Sequence, residues 1–376
     1  MEKRNFTIQW YISLFIFLFI NVLFCFKYLS RTNPVIALSI VVCYAIVFFY
    51  LSYRFKIKSV FSNRIVNTFL ITLFVGAFLF LYWHVPKESL NVDRWSVITS
   101  FWDYAMQGEY PYFAKSHMNN PPGPMPVYFV LAFPFYLIGE LGLFSIVGLL
   151  LLLWFFYNKN DRSTFSYVLY IVLSSCAIFW ELYARSAVLV NSVLIFYLMF
   201  YLKDIDRMNR KKFWISAIIA GFLLSTRSIF SLVFLVWGIF ILKNKILPFS
   251  RLFGWSIVFV CSFLLTFLPF ILFYPQDFFV MNPFIVQSSF LLPSHWIPLL
   301  FIVAIGCGFL CKDKMDVIFY SGFTLFIAIL IYFFYKIFES GFKFAYLESG
   351  SDISYFIFTI PFILFIISKT AIANDR

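Results

Sequence analysis

Asp93 and Arg94 stand together in the least apolar long stretch of the chain, HVPKESLNVDRWSVITSFWDYAMQGEYPYFAKSHMNNPPGPMP, which runs from His84 to Pro126. A carboxylate at a membrane surface can take the proton from an attacking hydroxyl, and Asp93 is the expected base. Asp103 is its competitor, or else a solvated surface residue at the edge of an amphipathic helix. If the leaving group is a phosphate it needs no second carboxylic acid of the glycosidase kind, only fixed positive charge. Arg94, Arg185 and Arg227 are the expected phosphate-binding residues. The last two sit in short turns at the ends of apolar helices, where an unpaired guanidinium is costly, on the order of 2.5–3.5 kcal/mol at a helix centre. Glu181 lies one helical turn before Arg185 and offers it a structural pair. Arg227 has no acidic residue within ten positions on either side. Tyr110, Tyr112, Asn120 and Glu181 complete the substrate-binding expectation, together with Gln287, Ser288, Asp352 and Tyr355 at the mouths of late helices. Those last four suit acceptor hydroxyls or simply cap their helices. His117 and His295 have acid and base chemistry available, and equally serve as plain hydrogen-bonding residues.

The elements that carry these residues must live in a bilayer. Hydrophobic residues make up 62% of the 376 positions and charged ones 12%, far more apolar surface than one soluble core can hide. Fifty-six Phe and 23 Tyr suit lipid-facing helices with interfacial belts. The net charge of +12 does not indicate nucleic acid, because the basic residues fall at the ends of apolar runs rather than on a soluble segment with stacking aromatics. The six cysteines all lie within or at the ends of apolar segments, which argues against a disulfide framework. Cys307 and Cys311 lack a neighbouring His or carboxylate, so no metal site is expected. Residues 10–26 follow Lys3 and Arg4 without a small-residue cleavage site, and are read as a first span rather than a leader.

A helix needs about 20 apolar residues to cross the hydrocarbon. Residues 10–26, 35–53, 65–83, 141–157, 166–182, 187–203, 252–274, 296–311, 317–335 and 353–370 qualify. Residues 213–242 are too long for one span and carry Thr226 and Arg227 midway, so two helices meeting at 225–228 are expected. Residues 127–138 are short and contain Pro134. If they only dip into the interface, about twelve spans result, both termini are cytoplasmic, and 20 of the 29 basic residues lie inside, leaving nine outside. If they span, the loop KDIDRMNRKK moves outside and the positive-inside rule fails. The interfacial reading is preferred. The outer face then carries residues 84–126, 275–295 and 336–352, with turns at 181–187 and 225–228. No soluble domain and no fixed-period repeat is visible, so the expectation is one all-α transmembrane domain over residues 1–376, multi-pass in the plasma membrane.

Within the first outer segment the order of features is specific. Residues 95–106 form an amphipathic helix with Trp95, Ile98, Trp102 and Ala105 on one face. Gly108 ends it, Tyr110-Pro111-Tyr112 turns the chain, and Asn120-Pro121-Pro122-Gly123-Pro124 returns it to the bilayer in a fixed extended shape. This pattern of loop Asp, interfacial helix, G-x-Y-P-Y, PP motif and apolar dip resembles the glycosyltransferase C superfamily, most closely its bacterial polyprenol-phosphate-mannose-dependent mannosyltransferases. Three spans rather than one precede the loop here, and Asn120 stands where an aromatic is usual. The resemblance implies a sugar moved from a polyprenyl-phosphate donor to an envelope glycan or glycolipid acceptor on the outer face, with the loop Asp as base, no cofactor, and specificity set by the later helices. Two other classes fit such a chain. An O-antigen-type polymerase or ligase usually carries its large loop late, and a lipid-linked sugar flippase or transporter tends to show broken helices in both halves.

Overall fold

The computed structural model describes residues 2–55, 63–290 and 292–373. Lys56, Lys58 and Arg376, counted above among the inner charges, lie outside the described residues, as do the side chains of Lys3, Arg4, Arg54 and Ser288. Among the described residues the chain is helical, without strands. Helices α1 (Glu2–Leu29), α2 (Pro34–Phe55) and α3 (Arg64–His84) precede the long polar segment, which holds α4 (Arg94–Met106). Then come α5 (Pro126–Ile138), α6 (Gly142–Lys159), α7 (Arg162–Leu173), α8 (Cys176–Tyr183), α9 (Val188–Leu202), α10 (Arg210–Leu224) and α11 (Ser231–Lys243). The last part comprises α12 (Phe249–Leu265), α13 (Leu268–Phe273), α14 (Pro275–Val280), α15 (Pro283–Phe290), α16 (Ile297–Leu310), α17 (Lys314–Ser340) and α18 (Ile360–Ala373).

Among the described residues five helices are long and apolar enough to cross a membrane, namely most of α1 and α2 with α3, α6 and α17, and α7 with α8 makes a sixth as one bent span. Six further apolar helices are shorter, between 10 and 17 residues. Several of the expected spans are therefore broken, each for a local reason. Residues 166–182 bend by 63° between α7 and α8. There the Ser175 side chain caps α8, and the buried Asn21 side chain of α1 accepts from Ser175 Oγ and the Ala177 N–H, replacing the helical bonds lost at the bend. Residues 252–274 divide into α12 and α13, with Pro269 in the first turn of α13. Residues 353–370 begin as a 3₁₀ turn, Ile353–Thr359, and become α-helical just before Pro361. Residues 213–242 form two helices, α10 and α11, broken at 225–227.

Packing is tight where small residues allow it. Gly221 on α10 lies directly against the backbone of Phe259 and Phe263 on α12, leaving no room for a side chain. Gly148 on α6 sits against Val190 of α9, where a Cβ would come within 2.8 Å of the Val190 Cα. The main apolar core runs from α1 through α6–α11 to α17 and α18, and a second cluster joins α4, α5, Tyr110, Tyr112 and Phe267.

α5 has 13 residues, about 20 Å at 1.5 Å per residue, against a hydrocarbon core of about 30 Å. Its N-terminus pairs with the break after α10: Met125 N–H donates to the Thr226 carbonyl (3.3 Å) and Val127 N–H to that of Ser225 (3.0 Å). Its C-terminal Gly139, in the left-handed region at φ 86°, meets Lys87 through its carbonyl (3.2 Å). Both ends of α5 thus touch segments expected on the same outer face. Phe101 of α4 stacks on Phe129 of α5 with centroids 3.6 Å apart, and Trp102 Nε1 donates to the Phe129 carbonyl (3.1 Å). The buried face of α4 is Trp95, Ser96, Ile98 and Phe101. It is rotated from the expected stripe toward Phe101, because α5 rather than lipid covers it; Trp102 and Ala105 are half-buried.

Candidate functional site

All five segments expected at the outer end meet in the structure. Tyr110 Oη donates to the Met281 carbonyl (2.7 Å), Tyr274 Oη to that of Gly108 (3.0 Å), and Gln287 Nε2 to that of Gly123 (2.9 Å). Ser228 donates to Gln287 Oε1, which ties the α10–α11 break to α15. The opposite end is joined by different charges. Lys314 binds Asp204 (3.2 Å) and Asp206 (2.8 Å), and Gln9 Nε2 donates to Asp316 (2.6 Å).

Asp93 is the N-cap residue of α4, yet its side chain does not cap the helix. Its Oδ2 instead accepts from Asn120 Nδ2 (2.7 Å) and Ser116 Oγ (2.9 Å). The turn that delivers both donors closes through Asn119, at φ 64°, where its N–H bonds the Ser116 carbonyl (2.8 Å). Asn120 therefore supports the carboxylate directly. Oδ1 accepts no hydrogen bond from the described residues. The carboxylate is half-buried, held by one oxygen with the other open.

Arg94 turns the other way, into the protein. It forms an ion pair with Asp352, donates to Ser354 Oγ (2.9 Å), and lies over the Tyr355 ring at 5.6 Å. Asp352 caps the turn that begins at Ile353, accepting from the Ser354 N–H (3.0 Å) and Oγ (2.6 Å). Burial alone would draw the Arg94 pKa down; the negative potential of Tyr355, Asp93, Tyr128 and Glu181 reverses this and leaves it raised. The guanidinium stays charged at every accessible pH.

Arg227 also lies against Tyr355. Its guanidinium is 5.7 Å from that ring and 5.3 Å from the ring of Tyr128 on α5. It is 8% exposed, its Nε has no hydrogen-bond partner, and among the described residues no carboxylate pairs with it. A Cβ at Gly123 would stand 3.9 Å from its Nη1, so the proline-rich return runs directly past the charge. Tyr355 thus contacts two guanidiniums, one paired with Asp352 and one without a carboxylate partner among the described residues.

Arg185 has a different fate. Its Nε donates to Glu140 (2.9 Å), and Nη2 to the carbonyls of Val85 (2.9 Å) and Tyr82 (3.3 Å), over the Tyr82 ring at 4.9 Å. Its structural partner is Glu140 at the start of α6, not Glu181. Glu181 is fully buried, and its Oε1 accepts the Leu189 N–H (2.7 Å) at the start of α9, a carboxylate against a helix N-terminus. Because Arg185 is only 2% exposed, truncating its partner leaves a buried charge with two carbonyl acceptors alone. Glu140→Ala is expected to destabilise the protein by about 2 kcal/mol, with Arg185→Met in the same background restoring part of the loss. Thermal unfolding in detergent measures both.

Tyr110 and Tyr112 are buried, and burial pushes both phenols up, so they remain donors. Tyr112 Oη bonds the Pro124 carbonyl (3.4 Å). Tyr112 thus holds the proline-rich return, and Tyr110 ties the loop to Met281. Asp103 is exposed and accepts from Tyr136 Oη (2.7 Å). His117 is exposed, stacks on Trp95 (5.3 Å), and pairs its Nδ1 with Ser96 Oγ (2.7 Å). His295 is exposed beside Trp296 and makes no contact with the group around Asp93. The structure thus brings together Asp93, Arg94, Asn120, Arg227, Asp352 and Tyr355, with Gln287 behind the loop. Ser116, Ser354, Tyr128 and Glu140 were not singled out from the sequence. Only Ser116, four residues before Asn120 in a turn-forming run, carried a local signal. No family model matches the chain, and neither does any curated protein or solved structure.

Proposed function

We propose that the chain is a membrane glycosyltransferase that moves a sugar, a hexose such as mannose, from a polyprenyl-phosphate donor to an envelope glycan or glycolipid acceptor. The observation that carries this reading is a half-open carboxylate, Asp93, next to Arg94, whose ring contact Tyr355 also meets Arg227, a buried guanidinium with no carboxylate partner among the described residues. The acceptor hydroxyl would give its proton to Asp93 Oδ1 as its oxygen bonds the anomeric carbon. The bond from that carbon to the phosphate oxygen breaks, and the polyprenyl phosphate leaves with the electron pair toward Arg227. Ser116 and Asn120 fix the carboxylate's direction. Arg94, already neutralised by Asp352, positions Tyr355 rather than receiving the phosphate.

This reading takes the bundle as about twelve spans in the plasma membrane, with both termini cytoplasmic and the Asp93 end outside. Twenty of 29 basic residues then face the cytoplasm. The test is radiolabelled sugar transfer from a panel of polyprenyl-phosphate sugars to membranes containing the protein. Label entering acceptor from one donor, above membranes lacking the protein, is the expected result; no transfer from any donor removes the reading.

A further inference from the structure

Helices α1 and α8 lie side by side, and two sets of contacts fix their register. Toward the middle of α1, Asn21 Oδ1 accepts from Ser175 Oγ (2.7 Å) and from the Ala177 N–H (3.1 Å). Toward its C-terminal end, Phe24 and Tyr28 pack on the Trp180 ring, with centroids 5.4 Å and 6.2 Å away. Cys25 follows Asn21 by one helical turn, which puts it on the face that Asn21 turns to α8. Cys176 stands between the two residues that Asn21 binds, as the first residue of α8. The two side chains are thereby brought together, and each thiol acts directly on the other.

The other four cysteines are placed differently. Cys307 and Cys311 lie one turn apart at the end of α16 and are buried, and the Cys311 thiol donates to the Cys307 carbonyl (3.3 Å). Cys43 on α2 and Cys261 on α12 are exposed. Cys25 and Cys176 are neither sealed in nor fully open. Cys25 is four residues from the end of α1, about 6 Å at 1.5 Å per residue. That end is the one that carries Asp93, since Tyr28 lies under the Arg31 guanidinium (4.9 Å) and within electrostatic reach of Arg94.

We propose that Cys25 and Cys176 form a disulfide that braces α8 against α1. Its oxidant is a protein disulfide of the outer compartment, so the inference rests on the reading that the Asp93 end faces outward. One cysteine, as thiolate, attacks that disulfide and releases one of its sulfurs, which takes up a proton. The second cysteine loses its proton, attacks the mixed disulfide at the first cysteine's sulfur and releases the other. Two electrons and two protons pass to the oxidant, and the S–S bond remains in the chain. The bridge closes a loop of about 150 residues, and its constraint on the unfolded chain grows with loop length. It secures the 63° bend between α7 and α8, which a single amide side chain otherwise ties to α1.

The experiment traps the full chain in cells with acid, denatures it, and counts free thiols by maleimide tagging before and after reduction. All six cysteines are expected to take the tag after reduction, and all but two before it. Peptide mass spectrometry should assign the bridge to Cys25 and Cys176. In Cys25→Ser every remaining cysteine should be tagged without reduction. Reductant should lower the melting temperature of the purified parent by several degrees and leave that of Cys25→Ser unchanged. Six free thiols in cells, a bridge between another pair, or equal responses of the two proteins to reductant overturns the proposal. Purified chain incubated with oxidised glutathione separates the causes. No bridge there refutes the meeting of the two thiols; a bridge there but not in cells overturns the proposal through the outward placement of this end. A bridge in cells without sugar transfer supports the proposal and counts against the transferase reading alone.

Discussion

Asp93→Asn is expected to lower the rate of sugar transfer by about a thousandfold, within the range that a positioned base contributes. The substitution is nearly isosteric. The side-chain oxygen of the introduced amide can still accept from Asn120 and Ser116, so the loop should keep its shape. What is lost is the ability to carry a proton away from the acceptor. Thermal stability in detergent should stay close to that of the parent, and binding of the donor lipid should hold within a few-fold. The control is Asn120→Ala, which removes the 2.7 Å hydrogen bond to the carboxylate but leaves the charge. It should cost far less activity, because Ser116 still holds the same oxygen at 2.9 Å. If Asp93→Asn transfers sugar at the parent rate, the base lies elsewhere. Asp103 is then a poor substitute, since its carboxylate faces solvent and binds Tyr136.

Arg227→Met is the second large effect, and its sign differs between activity and stability. Removal of a fixed charge that meets a developing anion typically costs two to three orders of magnitude in turnover, about 3–4 kcal/mol. A buried guanidinium without a carboxylate is, by contrast, a burden on the folded state. Cation–π contact with Tyr128 and Tyr355 offsets part of that burden, on the order of 1 kcal/mol for each ring. A methionine of similar length keeps the packing and discards the charge, so the melting temperature should rise while transfer falls about a hundredfold or more. Arg227→Lys should retain an intermediate rate, because an ammonium supplies the charge without the forked geometry. A variant that loses activity and stability together would mark Arg227 as structural. That outcome is expected instead at Arg185, whose charge is fully used by Glu140 and two carbonyls.

The contrast between these two arginines shows which parts of the molecule local sequence reveals. Each arginine occupies a short turn between apolar helices, and the nearest acidic residue in sequence separates them: Arg185 has Glu181 one turn away and Arg227 has none. That argument found the unpaired charge correctly but chose the wrong partner for the paired one. Glu140 reaches Arg185 only because the chain after α5 returns beside Val85 and Lys87. Likewise Arg94 and Ser354 are 260 positions apart, and nothing within either segment announces their meeting. The bilayer-scale features were legible in part: the break at 225–228 follows from the length of 213–242, whereas 252–274 and 166–182, expected as single spans, break at Pro269 and at Ser175. Length alone could not show that 166–182 bends, because the donors there are satisfied by Asn21 on another helix. Asn120 gives the clearest case of a residue whose role the sequence did not specify: its side-chain amide holds the Asp93 carboxylate.

Whether covalent chemistry occurs at the Asp93 end is tested most directly in proteoliposomes containing the purified chain, an acceptor, and a polyprenyl-phosphate sugar labelled in both the sugar and the lipid. The account predicts a labelled glycosidic product and an equal amount of free polyprenyl phosphate, both absent with Asp93→Asn. Intact doubly labelled lipid moving between leaflets, with no glycosidic bond formed, would contradict it and assign the chain to transport.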